Sequence, residues 1–102
     1  MEQVTNQIRI RGTLQNLPEF SHENHGHRFF RFSLEVPRLS GAVDALPVIA
    51  EEALLNTVDL SGGEMLCVTG QIRSHNIRVG ERRHLMIFVF CTSLTGEDGE
   101  PM

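Results

Sequence analysis

Lysine, tryptophan and tyrosine are absent from the sequence, and cysteine occurs only at Cys67 and Cys91. The two cysteines lack the spacing of a metal site and lie within apolar runs, so we expect them to be reduced, buried thiols. No apolar run approaches the roughly 20 residues that a helix needs to span a bilayer. The opening residues MEQVTNQIRIRG also lack the apolar core of a signal peptide. These absences predict a cytoplasmic protein with no membrane partner.

Because lysine is absent, all nine positive charges are arginine, and all fall between Arg9 and Arg83. The formal net charge is −4, which by itself argues against a protein that binds polyanions. Three of the acids, however, crowd the C-terminal end as Glu97, Asp98 and Glu100. A guanidinium group binds phosphate in a bidentate manner and stacks on bases. The arginines therefore suit planar anionic ligands better than the total charge indicates.

The chain has 102 residues, of which 40% are hydrophobic and 22% are charged, and this is the composition of a folded globular domain. Its length supports one hydrophobic core and not two. We expect a single domain over residues 1–95 and a short acidic C-terminal tail over residues 96–102.

Alternation of apolar and polar residues predicts two strands in the first part of the chain. The first runs from Val4 to Leu14 and the second from Arg28 to Val36. Between them, the polar stretch from Ser21 to His27 predicts a hairpin turn.

Three further strands and one helix are predicted in the rest of the chain. Leu46 to Ala50 predicts a short third strand, and Glu51 to Leu60 predicts a short helix with apolar residues at helical spacing. A fourth strand follows from Glu64 to Ser74, and then a polar loop from His75 to His84. Leu85 to Leu94 predicts a nearly continuous apolar fifth strand.

Five strands with one helix between the third and the fourth is the element order of the OB fold. Gly12 and Gly70 interrupt the apolar faces of their strands, as the sharp bends of a small barrel require. The sequence therefore predicts an all-β protein with one short helix, built as a five-stranded Greek-key OB barrel. Such barrels bind oligonucleotides or oligosaccharides on a strand face and its flanking loops.

Several pieces of the sequence resemble the bacterial and phage single-stranded DNA-binding protein family. They are I-R-I-R-G-T-L at Ile8 to Leu14, R-F-S-L-E-V-P-R at Arg31 to Arg38, the strand Leu46-Pro47-Val48, S-G-G-E at Ser61 to Glu64 and V-T-G-Q-I-R-S at Val68 to Ser74. In order and spacing, the resemblance covers nearly the whole chain. It implies a non-enzymatic protein that binds single-stranded DNA, largely independently of sequence, in replication, recombination or repair. It also implies a homo-oligomer.

Two features depart from this family. Its members commonly stack bases on tryptophan, and here Phe29 is the main substitute. Members also often end in a long flexible tail with an acidic tip that recruits partner proteins, whereas only Gly96 to Met102 could do so here. If this protein recruits replication or repair proteins in the same way, this short acidic tail is the segment that would bind them.

The candidate binding surface comes from the polar faces of the predicted strands, because single-strand binding needs cations near phosphates and flat groups on which bases stack. Its residues are Arg9, Arg11, Phe29, Arg31 and Arg73, and the loop before the fifth strand adds Arg78, Arg82 and Arg83. The loop arginines are placed to make salt-sensitive contacts with phosphate. Two alternatives stay open. The arginines could be a solvated face paired with acids, and Phe29 could be half-buried packing.

Three histidines, His22, His25 and His27, lie in the predicted hairpin turn. Their spacing does not match a closed zinc site, so we expect no metal and no other cofactor. They could instead contact phosphate or bases and gain charge below about pH 6.5. The sequence holds no nucleophile elbow, paired-carboxylate cleft or phosphate loop, which predicts a protein that is not an enzyme.

The predicted fifth strand is apolar on both faces, so one face must contact something besides the barrel core. A second subunit, in a dimer or tetramer, is the interpretation we favour, because linked sites raise the avidity for a long strand. The helix or a base could also cover this face. Two other functions stay open: an OB barrel can bind a protein and no nucleic acid, or it can bind RNA.

Overall fold

The computed structural model describes residues 6–96, with the side chain of Ile77 left out. Its elements are β1 (Ile8–Leu14), β2 (Glu19–Asn24), β3 (His27–Pro37), β4 (Val43–Glu51), α1 (Glu52–Leu55), β5 (Met65–Val79) and β6 (Arg82–Thr95). The start of the predicted first strand, Val4 and Thr5, and the predicted tail beyond Gly96 lie outside the described residues. Within residues 6–96, no helix is long and apolar enough to cross a membrane.

The strands form one sheet in the order β1-β5-β6-β4-β3-β2, and an additional pairing of β1 with β3 closes it into a barrel. The pairings between these strands are antiparallel apart from β4 with β6, which run parallel where Val48 and Ile49 meet β6. The single helix lies between β4 and β5. The prediction of an all-β OB barrel with one short helix is confirmed.

The barrel core is built from the inward-facing residues of five strands, because successive strand residues point to opposite sides of a sheet. Its buried side chains are Leu14, Phe32, Leu34, Val48, Ala50, Leu66, Val68, Val89, Cys91 and Leu94. Leu54 and Leu55 of α1, and Val58 and Leu60 in the segment that follows it, pack against this cluster. The helix thereby covers one part of the barrel.

Two glycines allow backbones to approach more closely than any side chain would permit. A Cβ added at Gly70 would lie 2.2 Å from the carbonyl oxygen of Phe90, and a Cβ added at Gly12 would lie 2.7 Å from that of Glu35. Gly70 also lies where the register between β5 and β6 shifts, so the predicted bend at this position is a β-bulge. Gly12 lies close to Thr13, the residue at which β1 pairs with both β5 and β3.

Two stretches predicted as turn or loop each hold a turn, but they are mostly strand, so the predicted extent of each is wrong. In the stretch from Ser21 to His27, β2 and β3 stay paired up to Asn24 and His27, and only His25 and Gly26 turn, both at positive φ. In the stretch from His75 to His84, β5 and β6 stay paired up to Val79 and Arg82. The structure therefore adds a sixth strand, β2, and lengthens the last two.

The predicted helix over Glu51 to Leu60 is also too long, because α1 spans only Glu52–Leu55. No side chain caps its first turn. At its end, the Thr57 hydroxyl donates a hydrogen bond to the Leu54 carbonyl at 2.6 Å, a local bond that competes with continuation of the helix.

Both cysteines are free thiols, as expected. Cys91 is buried in the core, and burial raises the pKa of its thiol to about 11. Cys67 is only half-buried, because it lies at an outward position of β5 opposite Arg11. The expectation of burial therefore holds for Cys91 and fails for Cys67.

Candidate nucleic-acid interface

Three rings and one guanidinium group form a contiguous row on the outer side of the sheet. His22 stacks on Phe29, with ring centroids 4.8 Å apart and planes at 11°. The ring of Phe29 lies 5.8 Å from that of Phe90. The guanidinium carbon of Arg73 lies 3.9 Å from the centroid of the Phe90 ring. We call these four residues the aromatic row.

Strand register brings the aromatic row together from four strands. His22 of β2 lies directly opposite Phe29 of β3. Phe90 of β6 lies beside Ile49 of β4, and Ile49 in turn lies opposite Arg31 of β3. Because Ile49 is only 7% exposed, the sheet between the two phenylalanines is covered. Arg31, Ile49 and Phe90 are paired in register, and paired residues point to the same side of a sheet, so Arg31 lies on the side of the aromatic row.

Beyond Phe90, strands β5 and β6 continue as a two-stranded ribbon over residues 72–88. The alternation of side chains places the ribbon residues Arg73, His75, Arg82, His84, Met86 and Phe88 on the side of the aromatic row. The His75 ring meets the Phe88 ring edge-on, with centroids 5.6 Å apart. The ribbon therefore carries a second set of rings and cations next to the aromatic row.

The other side of the ribbon has a different character. It carries Ile72, Leu85 and Ile87, which are 45%, 64% and 57% exposed. Arg78 and Arg83, which face each other in register, lie on this side near the turn. An exposed apolar surface of this kind is typical of a protein contact rather than of a phosphate contact.

The predicted binding residues thus occupy three places. Phe29 and Arg73 belong to the aromatic row, and Arg31 and Arg82 lie on the same side of the sheet. Arg78 and Arg83 lie on the opposite side of the ribbon, and Arg9 and Arg11 lie on β1 opposite the outward residues Thr69 and Cys67. The binding role of all eight residues stays a prediction.

Two arginines outside the candidate set are held by acids. Arg38 binds Asp44 through two hydrogen bonds of 2.8 and 2.6 Å, and this contact lowers the pKa of the Asp44 carboxyl. Arg28 lies 3.3 Å from Glu52 and also contacts the rings of Phe20 and Phe30. These contacts stabilise the β3–β4 turn and the side of the β2–β3 hairpin that faces away from the row.

The binding residues predicted from the sequence omit two rings of this surface, Phe88 and Phe90, because both lie in a run that is apolar on both faces. The sequence offers His22 as a contact to phosphate or bases, but in a turn and not on a strand. Met86, Phe88 and Phe90 alternate along β6 with Leu85, Ile87 and Val89, and because both sets are apolar the sequence carries no signal of which set faces outward.

The chain is similar to the dimeric N-terminal domain of PriB from Thermoanaerobacter tencongensis, with 35% sequence identity and a TM-score of 0.75 over 89% of this chain and 94% of that domain. It shares its fold with the SSB of Plasmodium falciparum in complex with single-stranded DNA, at 16% identity and a TM-score of 0.75 over 91% of each chain. Neither a protein-family model nor a curated protein matches the sequence. Because the identity to the PriB domain extends over almost its entire length, the chain belongs with it to the OB-fold family of single-stranded DNA-binding proteins.

Proposed function

We propose that this protein binds single-stranded DNA, without catalysis and largely independently of sequence. The observation that carries the proposal is the aromatic row, in which Phe29 and Phe90 are flanked by His22 and by the guanidinium of Arg73. Rings supply stacking surfaces to any base, and cations beside them bind the backbone. The likeness to an SSB complexed with single-stranded DNA supports the same conclusion.

The arginines near the row provide the phosphate contacts in this proposal. Arg31 and Arg73 lie at the row, and Arg82 lies further along the same side of the ribbon. Since the whole chain carries a formal net charge of −4, few phosphates can be neutralised by each subunit. We therefore expect a modest affinity that falls as the salt concentration rises.

The test is a titration of the protein into fluorescently labelled oligo-dT at low and moderate salt. The logarithm of the affinity should fall linearly with the logarithm of the salt concentration, with a slope of about −0.7 for each phosphate neutralised. A duplex of equal length should bind more weakly, since its bases are not available for stacking. Lack of binding at low salt, or a slope of zero, would contradict the proposal. Competition with oligo-rU measures the preference for DNA over RNA.

We also propose that the protein is a homodimer. The similar PriB domain is dimeric. The apolar side of the ribbon, around Ile87, supplies a surface for a second copy to cover. Two linked sites would raise the avidity for a long strand.

Sedimentation equilibrium tests the dimer and this surface together. The wild-type protein should have twice the mass of its 11.5 kDa chain. Ile87→Glu should shift the protein toward the monomer, because it places a charge in the proposed contact. Leu39→Glu is the control, since Leu39 is fully exposed in the turn between β3 and β4. A monomeric wild type, or equal masses for the two variants, would contradict this assignment.

We place this activity in the cytoplasm, in replication, recombination or repair, on the strength of the family resemblance. Recruitment of partner proteins through Gly96 to Met102 stays a prediction, because that tail lies almost entirely outside the described residues.

A further inference from the structure

Four histidines lie on the side of the sheet that carries the aromatic row. His22 belongs to the row, and His27 lies two residues before Phe29 on the same strand. His75 and His84 lie on the same side of the ribbon. The alternation of strand residues, rather than proximity in sequence, brings these four imidazoles to one surface.

Permanent charges are few around the aromatic row and on the same side of the ribbon. They are the guanidinium groups of Arg31, Arg73 and Arg82 and the carboxylates of Glu19 and Glu51. Glu19 lies opposite Arg31 in register, and Glu51 lies opposite Phe29. Opposite charges therefore nearly balance, and protonation of even two imidazoles would make the surface clearly positive.

Each of the two hairpin imidazoles has a defined neighbour. The Nδ1 atom of His22 lies 3.0 Å from the Ser21 hydroxyl, and its ring face rests on Phe29. The Nδ1 atom of His27 contacts the Glu51 carboxylate. When His27 is neutral, Glu51 leaves a full negative charge beside the Phe29 ring, where it repels a phosphate. When His27 is protonated, the pair is neutral and this repulsion is removed.

The two ribbon imidazoles lie among cations. His75 packs against Phe88, and Arg73 lies two residues away on the same strand and side. His84 lies two residues from Arg82, with Glu81 in the adjoining turn as the nearby acid along the chain. An approaching phosphate favours the imidazolium form at both positions, since it adds negative charge next to them.

We infer that single-stranded DNA binding by this protein is linked to proton uptake by these four histidines, and that the negative charge of Glu51 beside Phe29 weakens binding. This inference rests on the proposed function. Because linkage is reciprocal, DNA that favours the protonated imidazoles is bound more tightly when they are protonated. The affinity therefore rises as the pH falls and the imidazoles gain protons.

The experiment is the oligo-dT titration repeated at fixed ionic strength between about pH 8 and about pH 6, the range around the ordinary histidine pKa. Oligo-dT has no group that titrates there, and circular dichroism at each pH shows that the fold is kept. We expect the affinity to rise by about tenfold or more, since each proton taken up changes it by about tenfold per pH unit. Binding that is unchanged with pH overturns the inference and leaves the proposed function standing. Absence of binding at every pH overturns the proposed function itself.

Variants at the histidines and at Glu51 show which residues cause the pH dependence of the affinity. The double variant His75→Asn with His84→Asn should lose affinity only at low pH and so flatten the pH profile. Glu51→Gln removes one negative charge whether or not His27 is protonated, so it should gain affinity, by about threefold or more, at both ends of the pH range. His25→Asn is the matched control, because His25 lies in the turn at φ 51°, a conformation that asparagine tolerates. A control that flattens the profile as much as the double histidine variant would overturn the assignment.

Discussion

Replacing Phe90 with alanine is expected to weaken binding of oligo-dT by about 5- to 150-fold, the effect of losing about 1 to 3 kcal/mol of base stacking. Phe90 has the largest expected effect because its ring lies between Phe29 and the guanidinium of Arg73. Its loss removes the central stacking surface of the row. Affinity measured by fluorescence anisotropy at one low salt concentration would give the change directly.

Two further variants separate stacking from simple packing. Phe90→Leu keeps an apolar side chain but removes the ring, so its loss of affinity should approach that of Phe90→Ala. Phe20→Ala is the control, since Phe20 is 52% exposed and packs against Phe30 on the other side of the hairpin. The salt slope should stay unchanged in Phe90→Ala and fall in Arg73→Ala, by about 0.7 for one lost phosphate contact. If Phe20→Ala and Phe90→Ala weaken binding equally, the aromatic row is not the binding surface.

The barrel could be predicted from the sequence because apolar and polar residues alternate clearly along its core strands. Buried and exposed residues in β3 follow a period of two around Phe32 and Leu34, and Arg31 falls on the outer side as predicted. The same pattern placed Arg73 outward on β5. Phe29 was recognised because it interrupts a polar face, and the structure shows that it stacks on His22 and lies near Phe90.

The hairpin and the ribbon could not be predicted from the sequence, for a physical reason. A strand with both faces exposed has no apolar period, so β2 and the end of β5 resemble loops in sequence. Their strand geometry is imposed by pairing with β3 and β6 over many residues. Phe90 presents the opposite difficulty, because β6 is apolar on both sides and only its partners reveal which side faces outward. The site depends on these non-local pairings, and so it was predicted less completely than the barrel.

Gly70→Ala is expected to destabilise the protein by about 3 kcal/mol or more. The added Cβ would lie 2.2 Å from the carbonyl oxygen of Phe90 and 2.9 Å from its carbonyl carbon. Backbone atoms at a β-bulge cannot move aside as the end of a flexible side chain can. For a domain of this size, each kcal/mol lowers the melting temperature by about 4 to 8 °C. Urea unfolding at one fixed protein concentration, chosen because dimerisation adds to the apparent stability, measures the change.

The matched control for this prediction is Gly41→Ala. Gly41 has φ of 94° and no atom near its added Cβ, so alanine there meets only conformational strain, about 1 to 2 kcal/mol. Gly70→Ala differs from it in a second way, because the contacted atoms belong to Phe90 of the aromatic row. Any adjustment that accommodates the methyl group must displace Phe90, so the folded fraction of Gly70→Ala should also bind oligo-dT more weakly. If the two variants are equally stable and bind equally well, the close approach of β5 and β6 does not position the row.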